Sequence, residues 1–157
     1  MSNHLQRMIE LADQVFDVRN DPEQLNVTEE VISQLKSIHP ATLSEFIEGD
    51  GPVCWILLIP STLKTMDDFI ENKITESELL KSSLNEKNYQ AIYLCSALVL
   101  PEFRNKGIAF RSTIDSIKSM QEKFEIHYLY SWPFSEEGRS LSEKISATLN
   151  LPVKLRL

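Results

Sequence analysis

The sequence predicts one α/β domain spanning 1–157, a mixed β-sheet with helices on both faces. Three observations carry this. Two apolar, strand-forming runs, Val53–Ile59 and Ala91–Leu100, are each followed by a proline, Pro60 and Pro101. The second run opens a strand–loop–helix–strand unit: Ala91–Leu100, Pro101–Lys106, Gly107–Phe124 and Glu125–Trp132. Such a crossover joins parallel strands and is right-handed. Before the first run stands Glu48-Gly-Asp-Gly51, a turn signal that makes an antiparallel hairpin and so a mixed sheet.

Taken in order, His4–Phe16 reads as a helix, with Leu5, Met8, Ile9, Ala12, Val15 and Phe16 at helical spacing. Asp17–Asn26, holding Asn20-Asp-Pro22, reads as a loop. Thr28 caps a second helix with Glu29 and Glu30 in its first turn and Val31, Ile32, Leu35 and Ile38 as its stripe; Pro40 ends it. Leu43–Glu48 is open between a short strand and a helical turn, and is read as the hairpin partner of Val53–Ile59, which Pro60 closes. Ser61–Leu84 reads as helical, with a capping box at Thr75-Glu-Ser-Glu78 starting its second part. Its many charges favour a largely exposed cover over the sheet. In the helix after Gly107, Ile108, Ile114, Ile117 and Met120 form the apolar stripe. Along Glu125–Trp132, Ile126, Tyr128 and Tyr130 alternate with His127 and Leu129. Gly138–Leu149 is a last helix and Pro152–Leu157 a last strand.

Composition bounds the function. A length of 157 residues suits one domain with a core, and 42% hydrophobic with 25% charged residues is ordinary for a globular chain. The net charge of −7 argues against nucleic acid and anionic membrane as partners and tolerates a cationic acceptor. No apolar stretch is long enough to span a membrane, and the first residues lack a signal-peptide core. Cys54 and Cys95 then read as reduced thiols of a cytoplasmic protein. His4, His39 and His127 are scattered, and no metal-ligand spacing is present.

The run that carries chemistry is Val99-Leu-Pro-Glu-Phe-Arg-Asn-Lys-Gly-Ile-Ala109, which leads from a strand end into a helix start. A helix N-terminus offers unpaired N–H groups and partial positive charge. Gly107 lets a ligand approach the backbone, Ala109 keeps the next turn slim, and Arg104 and Lys106 add charge. Together they form a plausible diphosphate cradle. By spacing alone, a plain basic connection explains the run equally well. There is no Walker A run, no Gly-x-Gly-x-x-Gly and no Gly-x-Ser-x-Gly.

Ala97–Ala109 resembles motif A of the GNAT superfamily of N-acetyltransferases, an apolar strand followed by Arg/Gln-x-x-Gly-x-Gly/Ala. Arg104, Gly107 and Ala109 match in order, with Val99, Pro101-Glu102 and Phe103 as matching flanks. The resemblance covers Ala91 to about Phe124 well and the remainder loosely. It implies an acyl-CoA N-acyltransferase-like fold and acetyl-CoA as acyl donor. The acceptor would be an amine of a small molecule or a protein. Backbone around Leu98 and Val99 would hold the pantetheine arm and thioester. N–H groups from Asn105, Lys106, Gly107, Ile108 and Ala109 would hold the diphosphate. The strands Ala91–Leu100 and Glu125–Trp132 would splay to admit the cofactor.

Catalytic candidates are fewer. Leu141-Ser-Glu-Lys144 puts Ser142 where many members carry a tyrosine acid, and a serine hydroxyl is a far weaker acid. Tyr128 and Tyr130 are substitutes, with sheet packing as their other reading. Tyr93 and Cys95 lie on the cofactor strand and by period-two alternation share a face with Val99. Cys95 is also read as an inert thiol, as is Cys54. Glu45 and Glu48 either face an acceptor amine or line a solvated strand. An acyl-CoA-binding module without catalysis is the alternative function. Oligomeric state stays open, a homodimer included.

Overall fold

The computed structural model describes residues 3–19, 25 and 27–157. Helix α1, Asn3–Arg19, runs three residues past the expected Phe16, through 17–19. Of the rest of the expected loop only Leu25 is described, and Asn20-Asp-Pro22 lies outside the described residues. Met8 is fully buried and Leu11 packs on the core, whereas Ile9, expected on the apolar face, is 37% exposed. The buried side is therefore narrower than the apolar spacing suggests. Helix α2, Glu29–Ile38, begins where expected: Thr28 accepts the Val31 N–H on its side chain.

Strand β1, Leu43–Glu48, and strand β2, Gly51–Ser61, form the antiparallel hairpin around Gly49, whose φ of +66° suits glycine. Pro60 does not close β2. It pairs with Ile92 of β3, Ala91–Val99. The pairing of β1 stops at Leu57, so Pro60 lies where β2 has a strand on one side only. Such an edge accepts a residue without an N–H. Helices α3, Leu63–Ile70, and α4, Glu76–Leu84, separate β2 from β3 in sequence. The Thr75–Glu78 capping box is formed, each side chain accepting the other's backbone N–H. These two helices bury Met66, Phe69, Glu76, Leu79 and Leu80, so they supply core as well as cover.

Helix α5, Ile108–Gln121, crosses from β3 to β4, Tyr128–Ser131. Helix α6, Glu136–Leu149, crosses from β4 to β5, Val153–Leu155. Both pairings are parallel, and the five strands stand in the order β1-β2-β3-β4-β5. Strand β4 is shorter than the expected Glu125–Trp132. It is also buried on both faces, with Leu129 and Tyr130 at 0% exposure, rather than alternating. It is a central strand, covered on both sides. All four residues of the α5 stripe, Ile108, Ile114, Ile117 and Met120, are buried.

The two faces can be told apart by register. Ser44 pairs with Ile56 and its hydroxyl meets Ser116 of α5 at 2.8 Å, so α5 lies on the face of Ile56. Tyr93, paired with Ile59, meets Phe69 of α3 and Glu76 of α4 on the opposite face. The architecture is thus a mixed five-stranded sheet with helices on both sides. Among the described residues, no helix is long and apolar enough to cross a membrane.

Candidate functional site

The site begins with an irregularity in β3. Leu57 pairs with Ser96, but the next residue, Leu58, pairs with Leu94, leaving Cys95 as an extra residue in β3. A bulge of this kind bends the strand and shifts its alternation. Cross-strand partners share a face, so Val99, paired with Cys54, lies on the α5 face. Tyr93 lies on the other. The expectation that Tyr93 and Cys95 share a face with Val99 is corrected here: they share one with each other, and the bulge separates them from Val99.

Beside the bulge the sheet divides. Strand β4 pairs with β3 only from Ala91–Tyr128 to Leu94–Ser131. From Cys95 to Val99, β3 has β2 on one side and, among the described residues, no strand on the other. The Leu100 N–H donates to the Val53 carbonyl of β2 at 3.0 Å. Antiparallel alternation then directs the backbone groups of Leu98 to β2, and those of Ala97 and Val99 toward the open side. The Val99 carbonyl there accepts from Arg104 Nε at 2.9 Å. Of the two strand residues expected to bind a cofactor arm, Val99 is the one whose backbone is presented.

The chain then turns through Pro101–Phe103 into α5. Asn105 and Gly107 both adopt left-handed backbone, with φ of +62° and +78°. Gly107 is the N-cap of α5 and no side chain caps the helix. By contrast, Thr28, Thr62, Thr75 and Ser135 cap α2, α3, α4 and α6 with their hydroxyls. The first turn of α5 holds no acidic residue. Arg104, Asn105 and Lys106 are exposed beside it, and Gly107 and Ala109 half-buried, while Ile108 turns into the core. Arg111 arches back to donate to the Lys106 carbonyl at 3.0 Å. A Cβ on Gly107 would stand 2.8 Å from Arg111 Nη1. The expected cradle residues are therefore brought together at one uncapped, electropositive helix start.

This loop is braced by α1. Arg7 grips Glu102 with two hydrogen bonds of 2.5 and 2.6 Å, and the His4 ring packs edge-on against Phe103. His4 also holds the hairpin, its ring meeting the Glu48 carbonyl at 2.8 Å. The Arg7 guanidinium draws the Glu102 carboxyl down to about 2. A depressed carboxyl pKa contributes stability that is full above the ordinary value near 4.5 and lost as pH falls through about 2. Glu102→Gln is accordingly expected to flatten the fall in melting temperature between about pH 5 and pH 2. The comparison is a pair of thermal melts across that range, and parallel curves would refute it. The effect is modest, because both side chains are exposed enough to be screened.

The hydroxyl candidates sit differently. Ser142 is buried in α6 and donates to the Gly138 carbonyl at 3.0 Å. The Tyr130 hydroxyl lies 2.6 Å from Ser61 Oγ in the core, and burial pushes its pKa above the usual phenol range. Tyr128 is half-buried on the same strand. Glu45 accepts from the Trp55 indole at 3.0 Å, and Glu48 is exposed. Cys54 is fully buried, which raises its thiol to about 11, whereas Cys95 is half-buried. Among the described residues, no group of His, Cys, Asp and Glu could hold a metal ion.

Glu76 was not singled out by sequence reasoning. It follows the Thr75 cap, a place where an acid ordinarily serves the helix dipole in solvent. Here it is 4% exposed. One carboxylate oxygen accepts the Leu25 N–H at 2.6 Å. The other accepts the Tyr93 hydroxyl at 2.5 Å and lies 3.7 Å from Cys95 Sγ. Burial, followed by Cys95 and Glu76 themselves, holds the Tyr93 phenol well above its ordinary pKa, so it remains a donor.

No family model matches the chain, and neither does any curated protein or solved structure.

Proposed function

We propose that this chain binds acetyl-CoA and transfers the acetyl group to an amine, on an acyl-CoA N-acyltransferase-like fold. The observation that carries the reading is the division of β3 from β4 directly beside a glycine-capped, acid-free helix start. An extended pantetheine arm needs a strand edge whose backbone groups turn away from the sheet, which Ala97 and the Val99 N–H supply, the Val99 carbonyl being held by Arg104. A diphosphate needs unpaired N–H groups and positive charge, which α5, Arg104 and Lys106 present. The two are adjacent because the loop joining them is short. The resemblance of Ala97–Ala109 to motif A of the GNAT superfamily supports the same assignment.

The test is a thermal shift with CoA and with acetyl-CoA. A ligand at a hundred times its Kd stabilises the native state by about 2.7 kcal/mol. For a domain of this size that raises the melting temperature by roughly 5–10 °C. No shift at saturating cofactor removes the proposal.

A second reading, an acyl-CoA-binding module without catalysis, is favoured by one specific observation. The hydroxyls of Ser142 and Tyr130 are buried and hydrogen-bonded within the fold. In this reading their hydroxyls serve packing rather than proton transfer. Cofactor binding with no acetylated product from any amine would support this module.

A further inference from the structure

The division of the sheet has a carboxylate beneath it. Cys95, the bulged residue, stands at the point where β3 leaves β4, and its thiol faces Glu76. Glu76 therefore lies within one side chain's reach of the place where a thioester on the open edge of β3 would end. Its orientation is fixed from two sides, by the Leu25 N–H on one oxygen and the Tyr93 hydroxyl on the other. Of the groups in this cluster, Glu76, Tyr93 and Leu25 are buried, and Cys95 is the half-open one. Cys95 is thus the member of this cluster through which the proposal below routes an incoming group.

We propose that Glu76 is the acid–base residue of the acyl-transfer site, receiving a primary amine that arrives as its ammonium ion. The inference rests on the acetyl-CoA reading above. An alkylamine is protonated near neutral pH and cannot attack until it loses a proton. A carboxylate in a low-dielectric site attracts the cation strongly and then accepts that proton. The nitrogen–carbonyl bond forms and the carbon–sulfur bond breaks. One ammonium proton passes to Glu76 and on to water. The second N–H proton ends on the departing sulfur, giving the amide and free CoA thiol. Tyr93 is a positioning residue: its phenol stays protonated and aims the carboxylate.

The experiment uses the full chain with acetyl-CoA and a panel of primary amines, with acetylated amine and free CoA separated by chromatography. CoA affinity is measured beside it by thermal shift. Glu76→Gln keeps an oxygen for the Leu25 N–H and removes the charge. It is expected to leave CoA affinity within about twofold and to lower kcat by roughly a hundredfold or more. Cys95→Leu narrows the approach and leaves the carboxylate in place. It is expected to raise the amine KM at unchanged CoA affinity, and it keeps the test alive if Glu76→Gln does not fold. A Glu76→Gln enzyme with kcat within threefold of the parent overturns the assignment, as does an unchanged KM in Cys95→Leu. Parent protein that binds CoA but acetylates no amine overturns it too, leaving the binding module. Parent protein that does not bind CoA removes the acetyl-CoA reading itself.

Discussion

Replacing Gly107 by valine is expected to weaken CoA binding by tenfold or more and to lower the melting temperature by about 2–12 °C. Two separate effects combine. At φ +78° a β-branched residue is strained, at a cost of about 1–3 kcal/mol. Its Cβ would also stand 2.8 Å from Arg111 Nη1, at the spot where the diphosphate approaches. Asparagine separates the two. The chain already places Asn72, Asn105 and Asn150 in left-handed backbone, so Gly107→Asn satisfies the conformation. The Arg111 head group is the flexible end of its side chain and can move aside. The asparagine variant is thus expected to melt within a few degrees of the parent while binding CoA less tightly. Thermal melts with and without CoA check both. A folded Gly107→Val protein with unchanged affinity would mean that the cradle lies elsewhere.

The largest effect on stability is expected from Phe69→Ala, a loss of roughly 3–5 kcal/mol. Phe69 is fully buried at the centre of an aromatic layer, with ring centroids 4.8 Å from Tyr93, 6.1 Å from Tyr130 and 6.0 Å from Trp132. The Arg156 guanidinium lies 4.5 Å over its ring and 4.3 Å over that of Trp132. Deleting the phenyl group removes apolar burial, opens a cavity and strips one face from a buried cation. Against a total stability of about 5–15 kcal/mol, that is a large share. Phe69→Leu retains more volume and is expected to lose less. Urea unfolding of the two variants checks the order, and a loss under 1 kcal/mol for alanine would show that the layer closes over the gap.

Much of the fold was legible because local chemistry dictates it. Thr28 and the Thr75–Glu78 box cap the helices they announce, and Gly49 makes the hairpin turn. The α5 stripe is buried as its period demands. What was not legible depends on partners distant in sequence. The bulge at Cys95 carries no glycine or proline marker; it exists only in the register between β2 and β3. Strict alternation along Tyr93–Val99 therefore misassigns a face. Pro60 looks like a strand end until β1 is seen to stop at Leu57. Glu76 reads as a solvated first-turn acid until α4 is laid on the sheet. The cradle residues, close together in sequence, were readable together, whereas the carboxylate beneath the sheet's division was not.

Arg156 also sets an order of events during synthesis. Its guanidinium donates to Asn72 Oδ1 at 2.7 Å, across a separation of 84 positions. At roughly 5–20 residues per second, a ribosome takes about 4–17 s to travel that far. Until then α3 is made and its aromatic face lacks its cation. Nascent chains of this protein thus carry an incomplete Phe69–Trp132 layer for seconds.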